Sequence, residues 1–596
     1  MGYSNNFYEG GYSSFSPKYG DVFTGYRINP KSFGMSTDPR TANVLQDASS
    51  KLNMGIKQIE LSLVNPEIFD SVPKQQLQEI NRLSKLTGAE ISVHGPVTEA
   101  SGIGQQGFNE IIRKGEEIRL SNVLERSHEV NPEGNVIVTV HSSQGIPGTN
   151  WEKLPDKEKG FEGKAKRIIV VDRDTGAMKT VLDEGKVFYP GEDWSNPENV
   201  NITPEHGLDV LNHSEWDQRV SKIFFEQERA DEILQENQVQ IQHLIPVLKE
   251  RFERGEDPMV GLTPTQRNAY IKLQDAQGYL KEVQKSANTI FSKAYEFGDD
   301  EQKKKLKELS DKYTEELNES PDFLSRSQAM HRLVVDLKNR ELAPRINVPL
   351  EEFAIKKSAE TFGNAAFESY KKLGDKAPIL SIENPPAGGA FSTGEELKDL
   401  IKESRKNFAE RAIKDKGLNS SEANKLAEKF IGATWDLGHI NMLRKSGFGK
   451  EDIIRESEKI APFIKHVHLS DNFGIEHTEL PMGMGNVPTK EIFEKLGKEG
   501  FDAKKIIEAG NWWNHFRTAP FKETLEAFGS PIYSMEMSPY WNQNLGLQQS
   551  YSSGYGMMLP QTNYQMFGAG FSQLPMELGG QKPGAEGSRM SGRGME

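Results

Sequence analysis

Cysteine is absent from this chain of 596 residues. Disulfide bonds and thiolate ligands are therefore excluded, so a bound metal ion would need imidazole, carboxylate or carbonyl ligands. Zinc fingers are excluded with them, whereas sites that hold Zn, Mn, Fe or Mg through nitrogen and oxygen atoms remain open.

Long hydrophobic runs are also missing. No stretch of about 18 apolar residues is available as a membrane span, and residues 1–21 lack the apolar centre of a secretory signal. We therefore expect a cytoplasmic protein without membrane contact.

An excess of positive charge is missing too, since the formal net charge is −14. This charge argues against a broad basic surface for nucleic acid and leaves open a local basic cleft.

Both ends of the chain have little continuous apolar sequence and are rich in small and polar residues with scattered Tyr and Met. Such segments cannot bury enough apolar surface to offset the entropy of ordering, so we predict disordered tails over 1–22 and 531–596. The sequence between the tails is longer than one hydrophobic core usually supports, which indicates a large domain with additions.

Strand-like and helix-like segments alternate between the tails. Apolar, β-rich runs are separated by helical stretches such as 73–87 and 107–129, which is typical of a parallel sheet with crossover helices. The predicted strands are 24–28, 58–63, 90–94, 135–141, 377–383, 432–436, 464–471 and 504–508. Eight such units suffice to close an α/β fold of the (β/α)8 TIM-barrel type, with its first half over 23–146 and its second half over 346–530.

A long insertion, 147–345, interrupts the alternation after the fourth strand. Its predicted elements are a hairpin of 167–171 and 178–182 and charged helices over 214–255, from the cap pair Thr263 and Pro264, and over 299–340. Pro246 is expected to kink the first of these helices. Because the insertion follows the C-terminal end of a barrel strand, we expect it to rise from the catalytic face as a scaffold, a lid or an arm that docks a protein partner.

Side chains that can bind metal end most of the predicted strands. Side chains at the C-terminal ends of parallel barrel strands converge on one mouth, where carboxylates and imidazoles can hold cations. The candidates at strand ends are His94, His141, Glu383, Asp436, His439, His468 and Glu508, and the candidates in the loop after the seventh strand are His477 and Glu479.

Each candidate also has a purely structural alternative. The glutamates could pair with Arg or Lys, and the other histidines could be hydrogen-bonded core residues or exposed charges. Asp436 could cap a helix and leave His439 on the surface. His466, which faces the same side of its strand as His468, is expected to be a buried, hydrogen-bonded core residue and not a ligand. The recurrence of the pattern over several strands favours a metal site.

Seven short motifs carry a resemblance to a known family. They are HGP at 94–96, VH ending at 141, IENP around 383, DLGH at 436–439, HLSD at 468–471, LPMGMG at 480–485 and IIE ending at 508. In this order they resemble the xylose isomerase-like TIM-barrel superfamily, which includes endonuclease IV-type AP endonucleases and many sugar isomerases and epimerases. The likeness covers residues 23–146 and 346–530 and leaves the insertion and the tails unexplained.

The resemblance implies a metal site whose size depends on the activity. Isomerase members hold one divalent ion, Mn or Mg, through residues that match Glu383, Asp436, His468 and Glu508. Endonuclease IV-like members hold up to three zinc ions and add ligands that match His94, His141, His439, His477 and Glu479. The last pair has its residue types exchanged relative to that group, and Val97, Thr98 and Met484 also depart from the endonuclease pattern.

The function implied first is an endonuclease IV-like zinc hydrolase of phosphodiesters, with abasic DNA as substrate, because all nine ligand positions hold suitable side chains. In it, Glu383 bridges two ions and Glu508 orients the nucleophile. The alternative is an isomerase or epimerase of a small sugar or sugar phosphate, in which Glu383 and Glu508 move a proton beside one divalent ion. A third alternative is a non-catalytic interaction protein built on a retained barrel.

Overall fold

A computed structural model of the chain describes residues 33–53, 56–104, 107–153, 163–186, 195, 201–255, 257–320, 323–510, 512, 520 and 523–524. The predicted disordered tails, 1–22 and 531–596, and the predicted strand 24–28 lie outside these residues. The described residues form two units. The first runs from Phe33 to Gly104, from Asn109 to Lys164 and onward from Ala354; the second comprises 107–108 and Ala165–Phe353.

Eight parallel strands close into a barrel in the first unit, which confirms the predicted (β/α)8 fold. The strands are β1 Phe33–Ser36, β2 Gln58–Ser62, β3 Glu90–His94, β4 Ile137–His141, β5 Ile379–Glu383, β6 Ile431–Asp436, β7 Ile464–Leu469 and β8 Lys504–Ile507. The barrel closes where β1 pairs in parallel with both β2 and β8. The insertion therefore separates β4 from β5 in the chain.

The first barrel strand differs from the prediction. The position expected for 24–28 is occupied by Phe33–Ser36, a four-residue strand with glycine at its second position. A methyl group on Gly34 would lie 2.5 Å from both Gln58 O and Ile506 Cδ1, so neighbouring strands approach the backbone too closely for a side chain. A short strand containing glycine gives little β-propensity signal, which is why the sequence pattern missed it.

Replacement of Gly34 by alanine is expected to destabilise the barrel because the new methyl group meets backbone as well as side-chain atoms. We expect the free energy of unfolding to fall by about 1–3 kcal/mol, as in other overpacked cores. Denaturant unfolding measures this loss. Gly115, inside a helix and with no atom within 4 Å of the methyl group that alanine would add, is the matched control, and Gly115→Ala is expected to cause no loss. Equal stability of the two variants would contradict the close packing of β1.

Helices follow the strands around the barrel. They are Val44–Asn53, Pro66–Ser71, Lys74–Thr87, Glu110–Ser127, Leu350–Leu373, Gly394–Lys416, Ser420–Phe430, Leu437–Asn441, Lys450–Ile460 and Thr489–Asp502. Two of them, Gly394–Lys416 and Ser420–Phe430, follow each other directly in the chain. The first ends where Gly417 adopts a left-handed conformation (φ 68°), and the Asn419 side chain caps the next by accepting from Glu422 N.

Strand β6 shows how the barrel separates its two faces. Its Thr434 hydroxyl donates to Ser381 Oγ at 2.7 Å and lies 3.0 Å from Thr139 Oγ1, so these side chains form a polar layer inside the barrel. Trp435 points the other way, is fully buried, and donates from Nε1 to Ser457 Oγ on the helix Lys450–Ile460. Asp436, one residue further, again faces inward, above the polar layer.

The second unit is mainly helical and contains the predicted hairpin. The strands Gly163–Asp172 and Met178–Asp183 pair antiparallel, and Asn347–Pro349 pairs with the other edge of the first. The short strands Gly185–Lys186 and Asn201–Ile202 also pair with each other. The helices are Pro204–Glu236, Gln238–Arg254, Pro264–Phe297, Asp300–Glu319 and Phe323–Asp336. Two apolar clusters hold them together, one centred on Trp216 and Val283 and the other on Leu244 and Leu273.

The helix boundaries of the insertion are only partly as predicted. The Thr263 capping box begins the helix Pro264–Phe297, as expected. The helix predicted over 214–255 is broken at Asn237, whereas Pro246 lies inside the helix Gln238–Arg254. Asn237 donates its side-chain amide to Ile233 O at 2.8 Å, so a local side-chain contact ends the first helix there. The helix predicted over 299–340 likewise ends at Glu319.

Candidate metal centre

The predicted site residues lie at one end of the barrel because the strands are parallel. His94, His141, Glu383 and Asp436 are the last residues of β3, β4, β5 and β6. His468 is the next-to-last residue of β7, and Glu508 directly follows β8. His439 approaches them from the short helix after β6, and His477 and Glu479 approach them from the loop after β7. We call these nine residues the mouth cluster.

Glu383 lies at the centre of the mouth cluster and is 1% exposed. Its Oε2 is 3.1 Å from His94 Nε2 and 3.7 Å from His141 Nε2. Its Oε1 is 2.8 Å from His468 Nδ1. The two carboxylate oxygens therefore face two different sets of imidazole nitrogens.

Two groups of donor atoms share Glu383. One comprises Glu383 with His94 and His141. The other comprises Glu383 with Asp436, His468 and Glu508, and it also includes a 3.3 Å contact between His468 Nδ1 and Glu508 Oε2. Within each group the donor atoms lie within 4.8 Å of one another, a span that suits ligands around one cation.

Three further residues of the mouth cluster lie beside the first two groups and contact one another in sequence. His439 Nε2 is 2.9 Å from His477 Nε2, and His477 Nε2 is 3.8 Å from Glu479 Oε1. His439 Nδ1 lies 2.7 Å from Asn384 O, and because a carbonyl can only accept, Nδ1 carries the proton. In the neutral ring, Nε2 then presents a lone pair to His477, so the short separation fits either an N–H donated by His477 Nε2 or a cation between the two nitrogens.

The loop that carries His477 and Glu479 is held by a buried carboxylate. Asp471 accepts hydrogen bonds from the backbone N–H groups of Gly483, Gly485 and Val487 at 2.8–3.1 Å. A methyl group on Gly485 would lie 2.3 Å from Asp471 Oδ1, so this position requires glycine. Glu479 itself has a left-handed backbone (φ 44°), which is uncommon for a residue other than glycine and is found at functional sites.

The pKa values of the central groups are shifted by their mutual contacts. Burial favours the neutral form of His468, but the charges of Glu508 and Glu383 raise its pKa well above the ordinary value. Against the effect of burial, the charge of His468 lowers the pKa of both glutamates. Asp436 differs, since burial raises its pKa and Glu508 adds to the rise.

The pKa values of the outer groups diverge. Burial opposes the charged form of His94, yet its contact with Glu383 raises its pKa to about 9. Burial lowers the pKa of His141 to about 4, and burial with the charges of Glu508 and Asp436 raises the pKa of Glu479 to about 7. Such divergent shifts among neighbouring groups are typical of functional sites.

The structural alternatives for these residues can be compared with the observed contacts. Among the described residues, no Lys or Arg forms an ion pair with Glu383, Asp436, Glu479 or Glu508, so the side chains that pair with these carboxylates as cations are imidazoles. Asp436 does cap the following helix, since its Oδ1 accepts from His439 N at 2.7 Å. His439, however, is buried and not a surface residue. Nitrogen and oxygen donors without a balancing side-chain cation suit divalent metal ions.

Two residues of the site were missed by the sequence interpretation. Asn384 accepts from Asp436 N and donates to Asp436 O, and so fixes the end of β6 beside that of β5. Its signal was its place after Glu383 in the IENP motif. Glu60 is a buried carboxylate on β2 that contacts both His466 and His468. A single charge inside the apolar run 58–63 was the signal for Glu60. His466 is buried, as expected, but neither of its ring nitrogens has a hydrogen bond of good geometry.

The sequence of the second half of the barrel matches a known family. Residues 413–528, which include Asp436, His439, His468, His477, Glu479 and Glu508, match the family described as xylose isomerase-like TIM barrel. An uncharacterized protein from Methanocaldococcus jannaschii is 34% identical over 109 residues, which are 18% of this chain and 36% of that protein. The match thus spans about a third of the relative's length.

A solved structure of a D-tagatose 3-epimerase-like protein aligns with 85% of this chain and 98% of its own, at 14% identity and a TM-score of 0.34. Among the described residues, no helix combines the length and apolarity needed to cross a membrane. The match over 413–528 and the closed eight-stranded barrel together confirm the resemblance to the xylose isomerase-like TIM-barrel superfamily.

Proposed function

We propose that this chain is a metal-dependent phosphodiester hydrolase of the endonuclease IV type, acting at abasic DNA with up to three zinc ions. The observation that carries the proposal is the sharing of Glu383 between two donor groups, with the His439, His477 and Glu479 group beside them. A site for one ion would use only four of these nine residues. The other five would then be buried or half-buried polar groups without a role.

The residues present fit this chemistry. Bound divalent ions supply charge neutralisation and activation of water in the hydrolysis of phosphodiesters. Glu383 has one oxygen toward each of the two donor groups and is suited to bridge them. Glu508, with a side chain that is 20% exposed, is less buried than Glu383 and is suited to orient the attacking water.

A sugar or sugar-phosphate isomerase or epimerase is the second candidate. It is favoured by the compactness of the group formed by Glu383, Asp436, His468 and Glu508, which is complete without the other five residues. These four residues would hold one Mn or Mg ion, which would supply polarisation of a carbonyl, and Glu383 and Glu508 would transfer a proton.

A cleavage assay tests the leading proposal. The full chain is loaded with zinc, mixed with a duplex oligonucleotide that contains one abasic site, and assayed with and without a chelator. We expect cleavage that the chelator abolishes and that added zinc restores. A protein that is loaded with metal and leaves the oligonucleotide intact would contradict the hydrolase proposal and favour the isomerase.

Replacement of His141 by alanine separates the two candidates. In the hydrolase, His141 completes the group with His94 and Glu383, so we expect the variant to lose about one ion per chain and to cleave more than about 10-fold more slowly. A one-ion isomerase would keep its ion. Metal content per chain measures the difference, with His213→Ala, at an exposed histidine of the second unit, as the matched control. Unchanged metal content in both variants would contradict a multi-ion centre.

A further inference from the structure

Glu60 is a carboxylate inside the barrel, two residues before the mouth end of β2, and it is 0% exposed. Its Oε1 lies 3.3 Å from His466 Nε2, and its Oε2 lies 3.1 Å from His468 Nε2. Among the described residues, no Lys or Arg pairs with Glu60, and neither oxygen has a hydrogen bond of good geometry. The charge of this carboxylate is therefore compensated by imidazole rings alone.

A carboxylate in this position is costly unless a neighbour carries positive charge. His468 can carry this positive charge because its other ring nitrogen, Nδ1, faces carboxylates of the mouth cluster. His468 Nδ1 is 2.8 Å from Glu383 Oε1 and 3.3 Å from Glu508 Oε2. A metal ion bound at Nδ1 would make the Nε2–H group of the same ring more positive. Glu60 lies beside that Nε2–H group.

Two other histidine rings of the mouth cluster also have one nitrogen that points away from the mouth and contacts an acceptor. We call this the outer nitrogen. His94 Nδ1 lies 3.1 Å from Gly95 O, and His439 Nδ1 lies 2.7 Å from Asn384 O. In both rings the outer N–H faces a neutral carbonyl, and Nε2 faces the mouth. His468 has the opposite arrangement, with Nδ1 toward the mouth and a carboxylate at the outer nitrogen. A carboxylate partner raises the basicity of a ligating imidazole more than a carbonyl does.

We propose that Glu60 is a positioning residue of the metal centre: it holds the proton of His468 on Nε2 and so presents Nδ1 as a metal ligand. The inference rests on the proposed metal-dependent function. It requires only the group that contains Glu383, His468 and Glu508, which both candidate functions share. Glu60 then contributes to metal affinity without touching the metal or the substrate.

Competition between the full chain and a chromophoric chelator for zinc tests this role. We expect Glu60→Ala to weaken binding at the group that contains His468 by about 10–100-fold, the usual effect of losing such an outer partner. Glu60→Gln keeps an acceptor oxygen without the charge, and we expect an intermediate loss. Thermal unfolding of the metal-free variants shows whether the fold is retained, and Glu60→Gln serves if Glu60→Ala does not fold.

His466→Gln is the matched control because His466 contacts the other oxygen of the same carboxylate and lies outside the mouth cluster. We expect its zinc affinity to stay close to that of the unaltered chain. Unchanged affinity in both Glu60 variants, or an equal loss in His466→Gln, would overturn the positioning role. A chain that binds zinc normally but cleaves no abasic oligonucleotide would overturn the hydrolase proposal and leave the role of Glu60 intact.

Discussion

Replacement of Glu383 by alanine is expected to remove most of the bound metal and to abolish activity. Both oxygens of this carboxylate face imidazole nitrogens, at 3.1 Å for His94 and 2.8 Å for His468, so its loss opens two donor groups at once. Loss of an outer-shell partner alone typically costs about 10–100-fold in metal affinity, and loss of a shared ligand should exceed that. Metal content after desalting and cleavage or isomerisation rates measure the effect.

The control for Glu383 is a carboxylate at the opposite end of the barrel. Glu90 is an exposed residue at the start of β3 and forms an ion pair with the half-buried Lys504 at 3.0 Å. Because exposed pairs contribute little to stability, Glu90→Ala is expected to retain metal and activity. Retention of the full metal content by Glu383→Ala would contradict the shared role of this residue.

Replacement of Trp435 by alanine is expected to cause the largest loss of stability among the variants considered. Trp435 is fully buried between β6 and the helix Lys450–Ile460, and its Nε1 donates to Ser457 Oγ at 3.0 Å. Removing a buried aromatic side chain of this size costs about 3–5 kcal/mol of unfolding free energy. Denaturant unfolding of the metal-free chain measures the loss without a contribution from metal binding.

Trp435→Phe is the matched variant because it keeps most of the buried apolar volume and loses the hydrogen bond. We expect a smaller loss than for alanine, with Ser457 left without its donor. Since Trp435 directly precedes Asp436, a weakened β6 should also lower metal retention in the alanine variant. For Trp435→Ala, a free energy of unfolding within about 1 kcal/mol of that of the unaltered chain would be inconsistent with burial of Trp435 in the core.

The barrel and the composition of its mouth could be predicted from the sequence because both depend on short-range patterns. Apolar runs separated by helical stretches indicate parallel strands, and parallel strands bring their ends together regardless of the details of packing. The structure accordingly places His94, His141, Glu383 and Asp436 at adjacent strand ends. No residue pattern gives distances, so the sharing of Glu383 between donor groups emerged only from the structure.

The features that sequence interpretation missed depend on contacts between distant parts of the chain. Glu60 in β2 has its partners in β7, and Asn384 after β5 bonds to the backbone of Asp436 in β6. Strand β1 is short and contains Gly34, whose requirement comes from neighbours on two other strands. The local secondary-structure propensity of a segment carries no information on contacts with distant segments.

The helix ends of the insertion were hard to predict for a different reason. Pro246 was expected to disturb a helix, yet it lies within Gln238–Arg254, and the break occurs at Asn237. Both residue types are unfavourable inside helices, and propensity alone does not predict at which of the two positions the helix ends. Packing of Leu234 and Ile241 into one apolar cluster places the break between them.

The metal content of the full chain is the most direct test of the central claim that the mouth cluster holds divalent ions. The chain is purified without chelator, desalted, and analysed by inductively coupled plasma mass spectrometry against protein concentration. We expect more than one and up to three zinc ions per chain, lost on dialysis against chelator and recovered with added zinc. A chain that binds no divalent ion under these conditions would contradict the claim. A single Mn or Mg ion per chain would contradict the hydrolase proposal and favour the isomerase.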